Sequence, residues 1–193
     1  MGQIYHIDVF PWGRPAGSPE SQAELSFLKD ELSVCLLAKE RNPRCTVTEL
    51  NGPVYRDSCL EFFFCPCPEK SPAYYNFELN AYGTLYVGFS PDGTRATSAP
   101  VDPFEYAGRI PTAAQIDSEQ GFWNVRFRIP YDFIRARTPG FLESGQRYLT
   151  GNFYKCGDDT ENPHYAVWNP IDSNVITKPD FHVIKYFGKI EIK

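Results

Sequence analysis

Short runs of alternating apolar and polar residues, bounded by turn residues, recur along the whole chain. Typical runs are SCLEFFF (58–64), AYYNFELNAYGTLYVGF (73–89) and FWNVRFRIP (122–130). A period of two places alternate side chains on opposite faces of a strand, so these runs predict half-buried β-strands. The pattern predicts about nine to eleven strands in an antiparallel two-sheet β-sandwich of jelly-roll type.

Turn residues divide the pattern into hairpins. The run AELSFLKDELSVCLLAKE (23–40) is broken by Lys29, Asp30 and Glu31 at hairpin distance, and residues 74–80 and 84–89 are joined through Gly83. PYDFIRA (130–136) predicts one helical turn between strands. The 17 prolines and 14 glycines are scattered rather than clustered, as in an antiparallel β-protein without a linker. We therefore expect residues 1–193 to form a single domain.

Composition and charge exclude several classes of partner. A net charge of −5 and a pI near 5.2 argue against nucleic-acid binding, which needs clustered positive charge. No segment approaches the length of an apolar membrane span. The start MGQIYHIDVF lacks the pattern of a signal peptide, which predicts a cytoplasmic protein and reduced thiols at the six cysteines; a trimmed signal peptide would reverse both expectations.

Strand register predicts an unusual set of polar residues on the outer face of a sheet. In 74–80, Tyr75, Phe77 and Leu79 point inward, and Asn76, Glu78 and Asn80 point outward. By the same alternation, residues of other runs also point outward: Glu61, Asn152, Tyr154, Trp168, Asn124, Arg126 and Arg128. If these faces belong to one sheet, they form a surface of amides, carboxylates and rings, which suits sugar binding. The alternative is a hydrated face with a cross-strand Arg–Glu pair.

Five segments closely resemble family 9 carbohydrate-binding modules, in particular their DOMON-like, stand-alone branch. They are VYRDSCLEFFF (54–64), YYNFELNAYGTL (74–85), WNVRFRIPYDFI (123–134), GNFYKCGDDTENPHYAVWNP (151–170) and DFHVIKYFGKIEI (180–192). The resemblance implies a β-sandwich whose ligand face binds glucose-type or xylose-type units of plant polysaccharides. The family's D-S-x-E-x-F block falls on Asp57, Ser58, Glu61 and Phe63. Its later ligand-side segment falls on Asn152, Tyr154, Lys155 and Trp168.

The predicted site follows from register and resemblance together. We expect Trp168 and Tyr154 to stack on the sugar. The hydroxyl groups of the sugar would form hydrogen bonds with five polar residues: Glu61, Asn76, Glu78, Asn80 and Asn152. Lys155 and Arg56 would orient carboxylates or contact ring oxygens. Xylanase-linked members clamp the sugar between two tryptophans, whereas here Trp123 has an inward register; Trp12, in an early loop, is the candidate second wall.

Two other functions stay open from the sequence. Glu61 and Glu78 on neighbouring strands would suit a small glycoside hydrolase, and an aromatic face could instead dock a partner protein. No catalytic residue and no cofactor is expected. The oxygen-rich loop with Asp158 and Asp159 resembles a calcium site of some family members, although its spacing is not that of an EF-hand. Haem is not expected because Met1 is the single methionine.

Overall fold

A computed structural model of the protein describes residues 2–193. These residues contain twelve strands: β1 (Gln3–Ile7), β2 (Glu20–Phe27), β3 (Glu31–Lys39), β4 (Cys59–Cys65), β5 (Tyr74–Asn80), β6 (Leu85–Ser90), β7 (Ala99–Pro100), β8 (Thr112–Asp117), β9 (Phe122–Pro130), β10 (Tyr148–Cys156), β11 (Tyr165–Val167) and β12 (Gly188–Glu191). The helices are short: α1 (Pro103–Tyr106), α2 (Tyr131–Arg135) and three 3-10 turns at Val54–Arg56, Arg95–Thr97 and Ile184–Tyr186. Within this part of the chain, no helix is long and apolar enough to cross a membrane.

The strands form two antiparallel sheets. One has five strands in the order β1-β2-β3-β9-β8. The other has seven, in the order β11-β10-β4-β5-β6-β7, with β12 paired to the first half of β10. The predicted β-sandwich, the β2–β3 and β5–β6 hairpins and the helical turn at α2 are all confirmed. The strands that the sequence did not indicate are β7, with two residues, and β8, whose side chains are almost all exposed.

Phenylalanine rings fill the space between the sheets. Phe62 stacks on Phe64 and on Phe153, with ring centroids 4.8 and 4.6 Å apart, and Phe77 reaches across to Phe127 of the other sheet at 5.6 Å. Trp123 is fully buried, as its register predicted. Burial of such rings is the main stabilising contribution in a domain of this size.

The outer face of the seven-stranded sheet is covered rather than hydrated. Phe63, Tyr74 and Tyr154 on this face pack against Phe181 and Phe187 from the segment that follows β11, and Val54 packs there from the segment before β4. This second, smaller apolar cluster fixes both segments on the sheet. The polar residues of the same face are therefore buried, and a cavity lies where the covering segments leave the strands exposed.

The outward residues of β9 lie on the opposite side of the molecule. Because β9 belongs to the five-stranded sheet, Asn124, Arg126 and Arg128 face away from the covered surface, and Arg128 pairs with Glu31 at 3.1 Å. The expectation that they share one face with Glu61 and Glu78 is wrong. Alternation fixes the face of a strand that a residue occupies but does not identify the sheet to which the strand belongs.

Candidate functional site

A cavity of about 510 Å³ opens on the outer face of the seven-stranded sheet. Glu61, Phe63, Glu78 and Cys156 form its floor. Its sides come from irregular segments and strand ends: Asn51–Pro53, Tyr55, Tyr86, Arg95, Ser98, Asp158, Tyr165 and 179–182. This volume lies in the range of pockets that hold small ligands.

Strand register aligns the floor in one row across four strands. Tyr154 of β10 is opposite Glu61 of β4, Glu61 is opposite Glu78 of β5, and Glu78 is opposite Tyr86 of β6. Directly opposite residues in antiparallel strands lie on the same face about 5 Å apart at Cβ. Two carboxyl groups thus lie side by side between two tyrosines.

Both carboxyl groups are protonated more readily than ordinary glutamates. Burial raises the pKa of Glu61 well above its usual value, and the neighbouring Cys156 and Glu78 raise it further. Burial also raises the pKa of Glu78, to about 7, although the hydrogen bond from the Asn76 amide to its Oε1 at 2.8 Å acts in the opposite direction. At neutral pH the floor therefore offers both hydrogen-bond donors and acceptors.

Aromatic side chains line the cavity on several sides. Tyr86 and Tyr165 are half-buried, and Tyr55 is 42% exposed. Phe181 is fixed by stacking on Tyr154, with ring centroids 4.1 Å apart and planes 9° from parallel, and Tyr154 donates a hydrogen bond to the Phe181 carbonyl at 3.1 Å. Trp12 packs behind this wall against Tyr165 and Phe181, and its indole donates to the Ile176 carbonyl.

Charged and polar groups occupy the rim. Arg95 pairs with Asp180 at 2.8 Å, which links the 3-10 turn before β7 to the segment after β11. His182 is hydrogen-bonded to the Tyr74 hydroxyl at 2.7 Å, and burial lowers the pKa of His182 to about 4. Asp158 faces the cavity, and burial raises the pKa of its carboxyl. Its neighbour Asp159 is exposed, and calcium binding by this loop stays a prediction.

The outward amides predicted as ligands have mixed surroundings. Asn76 is buried beside Glu78, and its Oδ1 has no hydrogen-bond partner. Asn80 donates to the Val47 carbonyl and to Asp57, and accepts from the backbone of Tyr82 and Thr84. Asn152 bonds to the backbone of Asn169 in both directions. The last two residues fix loops on the sheet.

The structure does not bring Lys155, Trp168 or Arg56 into the cavity. Lys155 is opposite Leu60 and points into the core, where its ammonium contacts Glu40 at 3.3 Å and His164 at 2.8 Å. Trp168 shares that inward face and packs edge-on against Tyr5 at 4.7 Å. The outward orientation predicted for Trp168 is wrong, because Trp168 follows the outward-facing Val167. Lys155, which the resemblance placed on the ligand side, follows the outward-facing Tyr154 and is likewise turned inward. Arg56 is exposed outside the lining.

Sequence reasoning missed Tyr86, Tyr165, Tyr55, Arg95 and Asp180. For Tyr86 a signal existed, because it alternates with the inward residues Leu85 and Val87 in the predicted β5–β6 hairpin. For Arg95, Asp180 and Tyr55 no periodicity was available, because they lie in irregular segments whose path depends on tertiary packing.

A β-sandwich with a polar, tyrosine-lined cavity on one sheet defines a small-ligand binding module. The chain matches the family described as carbohydrate-binding family 9 over residues 3–192, and it belongs to that family. The prediction of a carbohydrate-binding module made from sequence resemblance is thereby confirmed. A comparison with curated proteins finds no match.

Solved structures share the whole fold. A "putative carbohydrate-binding protein" from Bacteroides uniformis is 26% identical with a TM-score of 0.81, and the match covers 100% of this chain and 87% of that one. A family 9 module from Caldicellulosiruptor kristjanssonii in complex with glucose is 11% identical with a TM-score of 0.63, and the match covers 100% of this chain and 84% of that one. A structure of a family 9 module from the same organism in complex with cellotriose is 12% identical with a TM-score of 0.62, and the match covers 100% of this chain and 82% of that one.

Proposed function

We propose that the protein binds a glucose-type mono- or oligosaccharide in the cavity above Glu61 and Glu78, without cleaving it. The observation that carries this proposal is the row Tyr154–Glu61–Glu78–Tyr86, which opens into a ligand-sized space in a chain of carbohydrate-binding family 9. The family 9 modules from Caldicellulosiruptor kristjanssonii that share this fold are in complex with glucose and cellotriose, which supports the sugar class.

The chemistry of the lining suits the alternating hydroxyl groups of a sugar. Glu78 and Asp158 supply oxygens that accept hydrogen bonds, and Arg95 supplies donors. Tyr86 and Tyr165 supply ring faces for the apolar C–H side of the sugar, and Tyr86 keeps a hydroxyl group for a further hydrogen bond. These tyrosines take the stacking role that was predicted for Trp168, because Trp168 packs against the core.

The expected affinity is modest. A neutral hydrogen bond contributes about 1 kcal/mol net, so four or five converging bonds give about −4 kcal/mol, which corresponds to millimolar binding. Because the cavity is already formed by packed segments, little additional ordering opposes binding.

A glycan array followed by calorimetry with glucose, xylose, cellobiose and cellotriose tests the proposal. Tyr86→Ala and Glu78→Gln should each weaken binding about tenfold, or about 1.4 kcal/mol. Tyr86→Phe should retain most of the affinity, because it keeps the ring. Phe104→Ala is the matched control, since Phe104 is an aromatic residue that is 95% exposed and lies outside the cavity.

The proposal fails if no glycan binds above background, or if Tyr86→Ala and Phe104→Ala bind equally well. The absence of catalysis is tested separately with nitrophenyl glycosides. We expect no turnover above that of the Glu61→Gln/Glu78→Gln double variant. A rate that depends on both carboxyl groups would instead identify a glycoside hydrolase.

A further inference from the structure

Cys59, Glu61 and Cys156 form a compact cluster at the floor of the cavity. Cys59 and Cys156 are directly opposite each other on β4 and β10, and Glu61 follows Cys59 by two residues, so all three side chains share the outer face. Their potential ligand atoms all lie within 4.8 Å of one another. The thiol of Cys156 is 3.0 Å from Oε1 of Glu61.

The cluster is buried, and its carboxyl group forms no ion pair with a basic side chain among residues 2–193. Cys59, Glu61 and Cys156 are at most 2% exposed. Lys155, the nearest cation in sequence, lies on the opposite face of β10, where its ammonium contacts Glu40 and His164 and donates to the Cys156 carbonyl. Among residues 2–193, no Lys, Arg or His side chain forms an ion pair or hydrogen bond with Glu61.

Two thiols and a carboxyl group on one face match the ligands of a zinc-type ion. We infer that Cys59, Glu61 and Cys156 bind one divalent zinc-type ion as two thiolates and a carboxylate. A tetrahedral zinc ion holds such ligand atoms about 3.6–3.8 Å apart. The separations in this cluster lie around that spacing, with one pair at 3.0 Å and all pairs within 4.8 Å. Soft thiolate ligands favour zinc or cobalt over calcium or magnesium. Binding releases the protons of the three groups to solvent.

The cavity supplies both the entry path and the fourth coordination position. Cys156 and Glu61 line the open space directly, whereas Cys59 lies beneath them. Three protein ligands with one open position are typical of zinc sites that bind water or a ligand atom. Metal binding does not depend on the proposed sugar, and it can be measured in the absence of any glycan.

Cobalt titration of the reduced, chelator-treated full chain tests this site. We expect one equivalent of Co²⁺ to bind, with a thiolate-to-cobalt charge-transfer band and the visible d–d bands of tetrahedral coordination. Cys59→Ser and Cys156→Ser should each weaken binding at least about tenfold and reduce the charge-transfer band. Glu61→Gln should weaken binding to a similar extent while keeping that band. Zn²⁺ should displace Co²⁺ in the wild-type protein.

Cys65→Ser is the matched control, because Cys65 is a buried thiol on the same face of β4 but outside the cluster. It should bind Co²⁺ like the wild type. Circular dichroism of the metal-free variants checks their fold, and Cys156→Ala provides a second variant if Cys156→Ser unfolds. The inference is overturned if wild-type protein binds no cobalt through sulfur, if Cys156 variants bind normally, or if Cys65→Ser abolishes binding. Sugar calorimetry on metal-free protein tests the proposed function independently.

Discussion

Buried polar residues on the outer face of the seven-stranded sheet have two different roles. Glu61 and Glu78 reach the cavity, whereas Asp57 and Asn80 hold the segment before β4 against the sheet. Asp57 accepts hydrogen bonds from the backbone N–H groups of Thr46 and Val47 at 2.8 and 2.9 Å, from the Thr46 hydroxyl at 2.8 Å and from Asn80 at 3.0 Å. Burial raises the pKa of Asp57, but these bonds outweigh it and hold the pKa below its usual value.

Asp57→Asn should therefore destabilise the fold by about 2–4 kcal/mol, because an amide presents a donor where the carboxylate accepts four hydrogen bonds. Urea unfolding measures the change. Asp172→Asn is the control, since exposed Asp172 accepts two hydrogen bonds from Asn174 through a single oxygen that an asparagine retains, and its effect should stay below about 0.5 kcal/mol. Equal stability losses in the two variants would contradict a structural role for Asp57.

Trp168→Ala should lower stability rather than remove a sugar contact. The indole packs against Tyr5 and Phe153, so truncation leaves a cavity at one end of the core and costs about 2–4 kcal/mol. Calorimetry at a temperature where the variant is folded should give the wild-type sugar affinity. Loss of sugar affinity in the folded variant would instead show that Trp168 contributes to binding.

At the level of elements, the β5–β6 pairing sets the geometry of the floor. Gly88 is opposite Asn76, and a Cβ atom built on Gly88 would lie 2.2 Å from Oδ1 of Asn76. The absence of a side chain at 88 therefore lets the Asn76 amide lie flat beside Glu78 and donate to it.

Gly88→Ala should destabilise the protein by about 1–3 kcal/mol through this overlap, and it should also weaken sugar binding by displacing Glu78. The double variant Asn76→Ala/Gly88→Ala removes the colliding amide. Chemical unfolding of the four proteins in this cycle should show positive coupling, with the double variant more stable than the sum of the single effects. Strict additivity would show that the two side chains do not interact.

How well each element could be predicted from the sequence depends on how regular that element is. The hairpins β2–β3 and β5–β6 were predictable because apolar alternation and turn residues agree. Strand β8 was not, because its residues Thr112–Asp117 have no buried face to produce a pattern. Glu61 and Glu78 were correctly placed outward by register, whereas Tyr55, Arg95 and Asp180 lie in irregular segments where no periodicity exists.

At the scale of the whole molecule, a buried charge network joins the two sheets. Glu40, which follows β3, accepts from the Trp123 indole at 2.8 Å and pairs with Lys155 of the other sheet. The Lys155 ammonium donates to Nε2 of His164, and Nδ1 of His164 donates to the Asn162 carbonyl. Neutral His164 therefore fits the network, and a protonated imidazole would place two cations together.

The stability contributed by His164 should consequently be lost in acid. Burial, followed by the charge of Lys155, lowers the pKa of His164 from 6.5 to about 4. A lowered histidine pKa means that the unfolded chain takes up the proton first. The contribution of His164 to the free energy of unfolding should thus be fully present above pH 6.5 and be lost as the pH falls from 6.5 towards 4, with His182 contributing in the same direction. The raised pKa values of Glu61 and Glu78 act in the opposite direction over this range, so the difference between wild type and a His164 variant isolates the histidine.

Urea unfolding across this pH range measures the effect. The stability of His164→Gln relative to wild type should rise as the pH falls from 6.5 towards 4, because glutamine does not titrate. The exposed His6 provides the control, and His6→Gln should follow the wild-type profile. Parallel profiles of unfolding free energy against pH for all three proteins would show that His164 does not contribute to the pH dependence of stability.

The separation between the hydrogen-bonded sheets and the irregular segments that wall the cavity has an evolutionary consequence. The floor is fixed by strand register, while Tyr55, Arg95 and Asp180 come from stretches outside the strands. Surface loops accept substitution and insertion more readily than strands. Descendants of this chain can therefore acquire new ligand preferences through changes in these segments while inheriting the same sandwich, so specificity should diverge faster than fold.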